Sequence, residues 1–333
     1  MKNKEIVNDI HIEYLEDLVK DSFAYDPIVN SFSVFETFDH ILMIIYATRN
    51  NSIISYDIID NKKIKEIENA HKKPITIFCH CCDNNISRRD LILSVSSFDN
   101  NIKLWDAQNW DCLFNIIANN NPWTWSACFL KDNNQIFILT SNYWKENSEP
   151  IKILDCNGNN IKELNNSNDG TFFIDSYYDN KFSKNYIVSG HLDYVKSYDY
   201  NNNKIYHKYC DNNNKGHSCI SVNNYKENTY LIESSCDGFL RIWDFHLALL
   251  LNKIEVNSEL YGICLFNENY CFVGCNDKTI KFIDMKNKKV LKNLNGHNMK
   301  VLTIKKINHP KYGECLVSQG FCEDNIKLWN IKI

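Results

Sequence analysis

The stretch IKLWD, at Ile102–Asp106, is one of seven related five-residue patterns along the chain, and these patterns decide the fold. Successive copies end 40 to 49 residues apart. A period of this length, filled with short apolar strands, predicts a radial array of small β-sheets. The seven copies are IISYD (Ile53–Asp57), IKLWD (Ile102–Asp106), IKILD (Ile151–Asp155), VKSYD (Val195–Asp199), LRIWD (Leu240–Asp244), IKFID (Ile280–Asp284) and IKLWN (Ile326–Asn330).

Each period contains three further apolar segments, so that one unit reads as four short strands with hairpin spacing. This spacing predicts one antiparallel blade per period. Neighbouring blades cover both faces of such a sheet, which explains why its strands are nearly continuous apolar runs. In the second period the predicted strands are Ile75–Cys81, Leu91–Ser96, Ile102–Asp106 and Cys112–Ile117.

The last unit lacks a fourth strand, because the sequence ends at Ile333, just after the third one. The segment Ile10–Val19 is strand-like and has no unit of its own, although the local pattern of Ile10–Lys20 also suits a helix. We expect the segment to complete the last blade, because closing the ring removes exposed sheet edges. The predicted fold is all-β: a seven-bladed β-propeller of four-stranded antiparallel blades over residues 1–333, with residues 1–20 completing the last blade.

Composition indicates a folded protein of a reducing compartment. Hydrophobic residues make up 44% of the chain, and the net charge is −4. We therefore expect neither direct nucleic-acid binding nor attraction to anionic lipid. The longest apolar run, Ile41–Ala47, is too short to span a membrane. Without an apolar leader, the 14 cysteines should be free thiols, and a cytoplasmic location is expected, with the nucleus left open.

Asparagine is abundant between the predicted strands, whereas the chain has only 10 glycines. Asn tolerates positive φ better than most residues, so these Asn-rich segments predict tight turns.

The chain resembles the WD-repeat β-propeller family, whose repeats begin near a Gly-His pair and end in a Trp-Asp pair. Trp105-Asp106 and Trp243-Asp244 are such endings, and Trp329-Asn330 is close to one. Gly216-His217 and Gly296-His297 match the start of a repeat.

The resemblance implies a hydrogen-bonded set of His, Ser or Thr, a turn Asp and Trp that stiffens individual blades. The first, third and fourth units lack the Trp and the Gly-His pair, and in the last unit Glu323 competes with Asp324 for the turn position. The implied sets are His71, Asp99 and Trp105; His217, Asp237 and Trp243; and His297, Asp324 and Trp329.

A Lys or Arg also recurs at the second position of the pattern, and we expect its alkyl stem to pack on the blade with its charge at the rim. The residues are Lys103, Lys152, Lys196, Arg241, Lys281 and Lys327.

The run Cys79-His80-Cys81-Cys82 is the sharpest cluster of metal-ligating residue types. A zinc site needs four ligands that converge, whereas neighbouring side chains of a strand point to opposite faces. We therefore expect buried structural thiols here, no metal and no cofactor. No catalytic set stands apart from the repeat, so an enzyme is not expected.

Function is predicted from what breaks the repeat. Aromatic residues collect in the loops around the third unit, and loop positions cannot easily bury them. The predicted function is a non-enzymatic scaffold, a monomeric propeller that holds protein partners on this face within a larger complex. The alternative is a module that recognises a modified peptide or a phosphorylated ligand at the channel mouth, where Lys73, Glu259 and Lys300 are the residues to check. The predicted partner-binding residues are Tyr143, Trp144, Trp123, Trp125 and Phe98.

Overall fold

Seven four-stranded antiparallel sheets form the structure, one for each copy of the five-residue pattern. The computed structural model describes residues 11–20, 22, 31–83, 89–99, 101–117, 124–142, 150–164, 170–211 and 216–332.

The strands follow one another in chain order within each blade. Blades 1 to 3 consist of β2–β5 (Phe32–Glu36, Leu42–Ala47, Ile53–Asp57, Lys62–Ile67), β6–β9 (Ile77–Asp83, Arg89–Ser96, Asn101–Asp106, Cys112–Ile117) and β10–β13 (Thr124–Asp132, Gln135–Asn142, Lys152–Leu154, Asn160–Glu163). Blades 4 and 5 consist of β14–β17 (Phe173–Asp179, Lys184–Gly190, Val195–Asp199, Lys204–Tyr209) and β18–β21 (His217–Tyr225, Asn228–Ser235, Phe239–Asp244, Leu249–Glu255). Blade 6 is β22–β25 (Leu260–Leu265, Tyr270–Cys275, Ile280–Asp284, Lys289–Leu294), and blade 7 is β26–β28 (Val301–His309, Gly313–Gly320, Asn325–Lys332) with β1 (His11–Lys20).

The predicted architecture is confirmed. The five-residue patterns form the third strands, β4, β8, β12, β16, β20, β24 and β28. The first strand of each blade contacts the first strand of the next, and β2 contacts β26, so the blades form a ring. Every interface between neighbouring blades holds a buried hydrophobic cluster, which explains the apolar character of both sheet faces. The described residues include no helix long and apolar enough to cross a bilayer.

Strand β1 completes the last blade. It pairs antiparallel with β28, from His11 opposite Lys332 to Lys20 opposite Asn325. This pairing agrees with the expected closure, and the helical alternative for this segment is wrong. The ammonium of Lys327 lies 3.1 Å from Asp17 Oδ1, so β1 also neutralises a buried charge of blade 7.

Asparagine occupies several of the tight turns, as the sequence suggests. Asn133 and Asn134 have φ of 44° and 65° at the β10–β11 hairpin, and Asn203 has φ of 53° at the β16–β17 turn. Asn thus provides left-handed backbone where many chains would use Gly.

The charges at the second position of the pattern do not all lie at the rim, so this part of the prediction is wrong. Arg241 is fully buried, and its Nε and Nη1 atoms lie 2.8 Å from Asp211 Oδ2 and 3.2 Å from Asp237 Oδ1. Lys281 is buried beside Asp277, with 2.9 Å between Nζ and Oδ2. A buried cation needs a partner, and in both blades the acid four residues earlier provides it.

Candidate functional site

One end of the propeller carries the connections that enter the first strand of each blade and those that join its second strand to its third. We call this end the loop face. Trp125 is the second residue of β10, and Phe98 follows β7, so both lie at this end of neighbouring blades, where each is half-buried. The other three predicted partner-binding residues, Trp123, Tyr143 and Trp144, lie outside the described residues.

Four aromatic residues at the starts of first strands or after a second strand extend around the loop face. We call Trp125, Phe172, Tyr261 and Phe321 the aromatic arc. The ring of Trp125 packs edge-on against Phe172 of the next blade, with centroids 6.4 Å apart and planes at 78°. Tyr261 is buried within a cluster that also contains the partly buried Phe321. The arc therefore draws on blades 3, 4, 6 and 7.

The charged residues predicted to mark the channel mouth do not share one sign. The Lys300 ammonium lies 5.2 Å from the ring centre of Tyr261 and 4.9 Å from that of Phe321. The hydroxyl of Tyr261 donates to Glu259 Oε2 across 3.3 Å. Lys300 and Glu259 thus contact the same tyrosine, and their charges partly cancel there. Lys73 belongs to the loop before blade 2, where its carbonyl accepts a hydrogen bond from Ser96 Oγ.

A cavity of about 380 Å³ lies among the first strands, along the axis of the ring. Burial raises the pKa of the Asp175 carboxyl to about 6, although a hydrogen bond from the Ser176 N–H and the charge of Lys305 oppose the shift. Asp175 and Lys305 come from blades 4 and 7. The cavity wall also carries the thiols of Cys79 and Cys128, whose pKa values burial raises.

Blade 2 contains a hydrogen-bonded chain of His, Ser and Trp behind the loop face. Trp105 Nε1 donates to Ser94 Oγ across 2.8 Å, and Ser94 Oγ lies 2.7 Å from His71 Nε2. Among the described residues, His71 Nδ1 has no hydrogen-bond partner, and Asp99 Oδ2 accepts the Lys72 N–H at 3.2 Å instead. Burial and the charge of Lys103 lower the pKa of His71 to about 3, so its imidazole is neutral at neutral pH.

Blade 7 contains the same chain with an acid added. Trp329 Nε1 and His297 Nε2 lie 2.8 and 2.7 Å from Ser318 Oγ, and His297 Nδ1 is hydrogen-bonded to Glu323. Asp324, the residue expected in this role, instead accepts from Arg49 of blade 1 at 2.6 Å, so that expectation is wrong. Glu323 takes the place because it follows Gly320 in a tight turn and its side chain reaches back to His297.

Blade 5 lacks the serine that joins His to Trp in the hydrogen-bonded chains of blades 2 and 7. Glu233 is paired with Arg241 across the strands, just as Ser94 and Ser318 are paired with their second-position lysines. A buried carboxylate therefore occupies the serine position. His217 Nδ1 lies 3.3 Å from Glu233 Oε2, but the two atoms are not hydrogen-bonded. Trp243 Nε1 also has no hydrogen-bond partner among the described residues. Asp237 pairs with Arg241 and not with His217.

Sequence reasoning missed Phe172, Tyr261 and Phe321 of the arc, because it searched for insertions that break the repeat. An alignment of the residues that begin each first strand would have brought Trp125 and Tyr261 to related positions, since both lie at a break in register with the second strand. It also missed the three second-strand residues that meet the histidines: Ser94, Ser318 and Glu233.

Comparison with known proteins agrees with the fold. The family model described as "WD domain, G-beta repeat" matches residues 61–106 and 208–244, which end with the pattern strands of blades 2 and 5.

Three curated relatives match parts of the chain. The U3 small nucleolar RNA-associated protein 21 homolog of Schizosaccharomyces pombe is 26% identical over 105 residues, 31% of this chain and 11% of that protein. Myosin heavy chain kinase C of Dictyostelium discoideum is 27% identical over 74 residues, 22% of this chain and 9% of the kinase. The WD repeat domain-containing protein 83 homolog of Dictyostelium discoideum is 30% identical over 96 residues, 28% of each chain. The matched part thus spans less than a third of each relative.

Matched repeats in two blades, a relative named for its WD repeat and a closed ring of seven four-stranded blades support one conclusion. The chain carries WD repeats and is similar to the WD-repeat β-propeller family.

Proposed function

We propose that this propeller is a non-enzymatic scaffold that holds protein partners on its loop face. WD-repeat propellers generally bind protein partners. The observation that carries the proposal is the aromatic arc, which places Trp125, Phe172 and Phe321 in half-buried positions on three blades at one end of the ring. Large aromatic side chains held in place by their neighbours are typical anchors of protein interfaces. Phe98, Trp123, Tyr143 and Trp144 extend the proposed surface.

The contacts within the arc support binding of a polypeptide. Trp125 and Phe172 already pack on each other, so little side-chain entropy is lost when a partner covers them. The Lys300 ammonium over Tyr261 and Phe321 adds a charge at the edge of an apolar surface. With Glu259 on the same tyrosine, this arrangement suits a partner with an apolar anchor and polar groups of mixed charge around it.

The alternative function, recognition of a phosphorylated ligand at the channel mouth, has weaker support. Phosphate is usually bound by converging Arg, Lys or backbone N–H donors. Lys300 instead shares Tyr261 with the acidic Glu259. A mouth of mixed charge favours the scaffold.

Comparison of variants in the native cell tests the proposal. Co-purifying proteins are identified by mass spectrometry for the wild type, for Trp125→Ala with Phe321→Ala, and for Tyr143→Ala with Trp144→Ala. Tyr178→Ala is the matched control, because this tyrosine is 49% exposed near the end of β14 that lies away from the loop face. We expect the same partners to be lost from both loop-face variants and kept by the control, with melting temperatures close to that of the wild type.

Unchanged partners in both loop-face variants, with folding intact, would contradict the proposed surface. A catalytic activity that survives these substitutions would contradict the non-enzymatic function. Fluorescence imaging of the tagged chain tests the expected cytoplasmic location. The fission-yeast relative is named for association with a nucleolar RNA. A nucleolar fluorescence signal would therefore contradict the expected cytoplasmic location, and RNA in the purified complex would contradict the expectation that the protein does not bind nucleic acid.

A further inference from the structure

Three potential metal ligands converge on the β6–β7 hairpin of blade 2. His80 and Cys82 are two residues apart on β6, so their side chains share a face, and Asp90 lies opposite Cys82 on β7. His80 Nε2 is 2.7 Å from Asp90 Oδ1, and Cys82 Sγ is 3.7 Å from that nitrogen and 3.4 Å from that oxygen. Among the described residues, this is the one group in which three such ligand atoms lie within 4.8 Å of one another.

Strand alternation explains why only part of the Cys79–Cys82 run takes part. Cys81 packs in the hydrophobic cluster between blades 2 and 3, on the opposite face of the strand from His80. The four residues therefore do not converge, as the sequence predicts. The third ligand is not part of this run: it is Asp90, which lies on the neighbouring strand β7.

The geometry is not that of a Cys-His-Asp catalytic triad. In a triad the imidazole uses one nitrogen for the nucleophile and the other for the carboxylate. Here Cys82 and Asp90 both approach the same atom, His80 Nε2. Burial and the hydrogen bond to Asp90 also raise the pKa of the Cys82 thiol, so the nucleophilic thiolate is disfavoured.

Three protein donor atoms together with one water molecule can form the tetrahedral coordination shell of a zinc ion. Zinc lies about 2.3 Å from sulfur and about 2.0–2.1 Å from nitrogen or oxygen, which places neighbouring tetrahedral donors about 3.3–3.6 Å apart. The two separations from Cys82 Sγ are already close to this range. Only the 2.7 Å between His80 Nε2 and Asp90 Oδ1 must open, by about 0.6 Å.

Neighbouring groups hold the three ligands in place. The His80 ring stacks on Phe35 of blade 1, with centroids 3.7 Å apart and planes 7° from parallel. The Phe38 N–H donates to Asp90 Oδ2 at 3.3 Å, which leaves Oδ1 turned toward His80 and Cys82. Contacts of this kind orient metal ligands and strengthen metal binding.

The site has a route to solvent. Asp90 is only 2% exposed, although it contributes to the wall of a groove of about 420 Å³ between blades 1 and 2, so solvent reaches the site past His80 and Cys82. The His80 side chain is 14% exposed, and Cys82 is half-buried. An ion can therefore enter, and a water molecule can complete the coordination.

The geometry points to a zinc site formed by His80 Nε2, Cys82 Sγ and Asp90 Oδ1, with a water molecule as the fourth ligand. On binding, the Cys82 thiol releases its proton and the neutral imidazole moves its proton from Nε2 to Nδ1. The mixed S, N and O donor set suits zinc better than magnesium or calcium, which prefer oxygen alone.

Cobalt substitution and X-ray absorption test the site on the purified full chain. We expect one equivalent of Co²⁺ to produce the intense visible bands of tetrahedral cobalt and a sulfur-to-cobalt charge-transfer band, and Zn²⁺ to displace it. Zinc-edge absorption of the wild type should show one sulfur and three lighter neighbours. In Cys82→Ser the charge-transfer band should disappear, and zinc affinity should fall by more than the roughly 10- to 100-fold that follows loss of an outer-shell partner.

Cys112→Ser is the matched control, because this thiol is exposed and lies on another strand of the same blade. It should bind both ions like the wild type. If Cys82→Ser does not fold, His80→Gln is compared in the same way. Two or more sulfur neighbours in the wild type, octahedral cobalt, or unchanged affinity in a folded Cys82→Ser or His80→Gln variant would overturn the proposal.

Discussion

Glu323 is hydrogen-bonded to Nδ1 of the buried His297 in blade 7. The same carboxylate accepts the backbone N–H groups of Asn298 and Met299, so it fixes the loop that leads into β26. Burial by itself would raise the pKa of the Glu323 carboxyl, but these hydrogen bonds outweigh burial and lower it. With Nδ1–H donating to Glu323, His297 Nε2 is left to accept from Ser318, which in turn accepts from Trp329.

Substitution of Glu323 should therefore cost far more stability than substitution of its neighbour Asp324. Glu323→Ala leaves the buried His297 Nδ1 and the part-buried N–H groups of Asn298 and Met299 without their acceptor and should lower the free energy of unfolding by about 2–4 kcal/mol. Asp324→Ala removes only an ion pair with Arg49 in which both side chains are more than half exposed, and should cost less than about 1 kcal/mol. Urea unfolding of the two variants measures the difference, and equal losses would contradict the role given to Glu323.

Replacement of Glu233 by serine should stabilise the protein. The substitution removes a buried carboxylate that makes no hydrogen bond in the described structure and provides a hydroxyl between His217 and Trp243. Arg241 keeps Asp211 and Asp237 as partners. Two new hydrogen bonds of about 1 kcal/mol each, less the loss of the Glu233 contacts with Arg241 at 3.7 Å and with His217 at 3.3 Å, should raise the unfolding free energy by about 1 kcal/mol.

Ser94→Ala in blade 2 is the converse experiment. It removes the hydroxyl that joins His71 to Trp105 and should lower the unfolding free energy by about 1–3 kcal/mol. Both variants are compared by urea unfolding at pH 7. A loss of stability in Glu233→Ser would show that the carboxylate is required by Arg241 and would contradict this account.

The propeller could be predicted from the sequence because the determining signal is periodic. The third strands are buried on both faces and end near a polar turn in every unit, so IKLWD and its relatives recur at readable spacing. The closure by β1 could also be predicted, because one strand was missing in the last blade and one strand-like segment had no blade.

Contacts that depend on pairing between strands could not be predicted in the same way. Asp90 meets Cys82 because of the register of one hairpin, and the spacing of these residues alone does not give that register. Glu323 and Asp324 are adjacent, and only the path of the turn decides which of them reaches His297. The aromatic arc joins residues from different blades, whereas the repeat describes each blade by itself.

Stability should fall as the pH is lowered below 6.5, and His71 should contribute to this fall. Its pKa is about 3 in the folded protein, against an ordinary value of 6.5. Below pH 6.5 the unfolded chain therefore binds a proton that the folded chain does not bind. The loss amounts to at most about 1.4 kcal/mol per pH unit, or about 2 kcal/mol between pH 7 and pH 5, and continues down to the folded pKa.

Comparison of His71→Gln with Ser94→Ala isolates this contribution. In His71→Gln the unfolding free energy should depend less steeply on pH between 6.5 and 4 than in the wild type. Ser94→Ala keeps the buried imidazole and should keep the steep dependence, although its stability is lower at every pH. Equal slopes in the wild type and His71→Gln would show that the imidazole does not resist protonation in the folded state.

Removal of residues 1–20 should open the ring. Without β1, the edge of β28 is exposed along its length, and Lys327, which is 5% exposed, loses Asp17. Exposed edges promote pairing with other chains, so we expect self-association and a broad unfolding transition. Glu13→Gln is the control, because it keeps β1 in place and removes only the carboxylate charge that faces Lys332, Asn330 and His11, so it should unfold like the wild type. Light scattering measures the self-association, and urea unfolding measures the breadth of the transition. A truncated protein that stays monomeric and unfolds cooperatively would contradict closure by β1.

Phosphorylated ligands should not bind at the channel mouth. Lys300 rests on Tyr261 and Phe321, and the Tyr261 hydroxyl contacts Glu259, so a phosphate that approaches the ammonium also approaches a carboxylate. We expect calorimetric titration with inositol hexakisphosphate or a phosphoserine peptide to give no saturable heat at physiological salt. Glu259→Gln removes the opposing charge and should permit weak, salt-sensitive binding. Saturable binding by the wild type that Lys300→Ala abolishes would replace the scaffold with the ligand-recognition function, because the lysine would then act on phosphate in spite of Glu259.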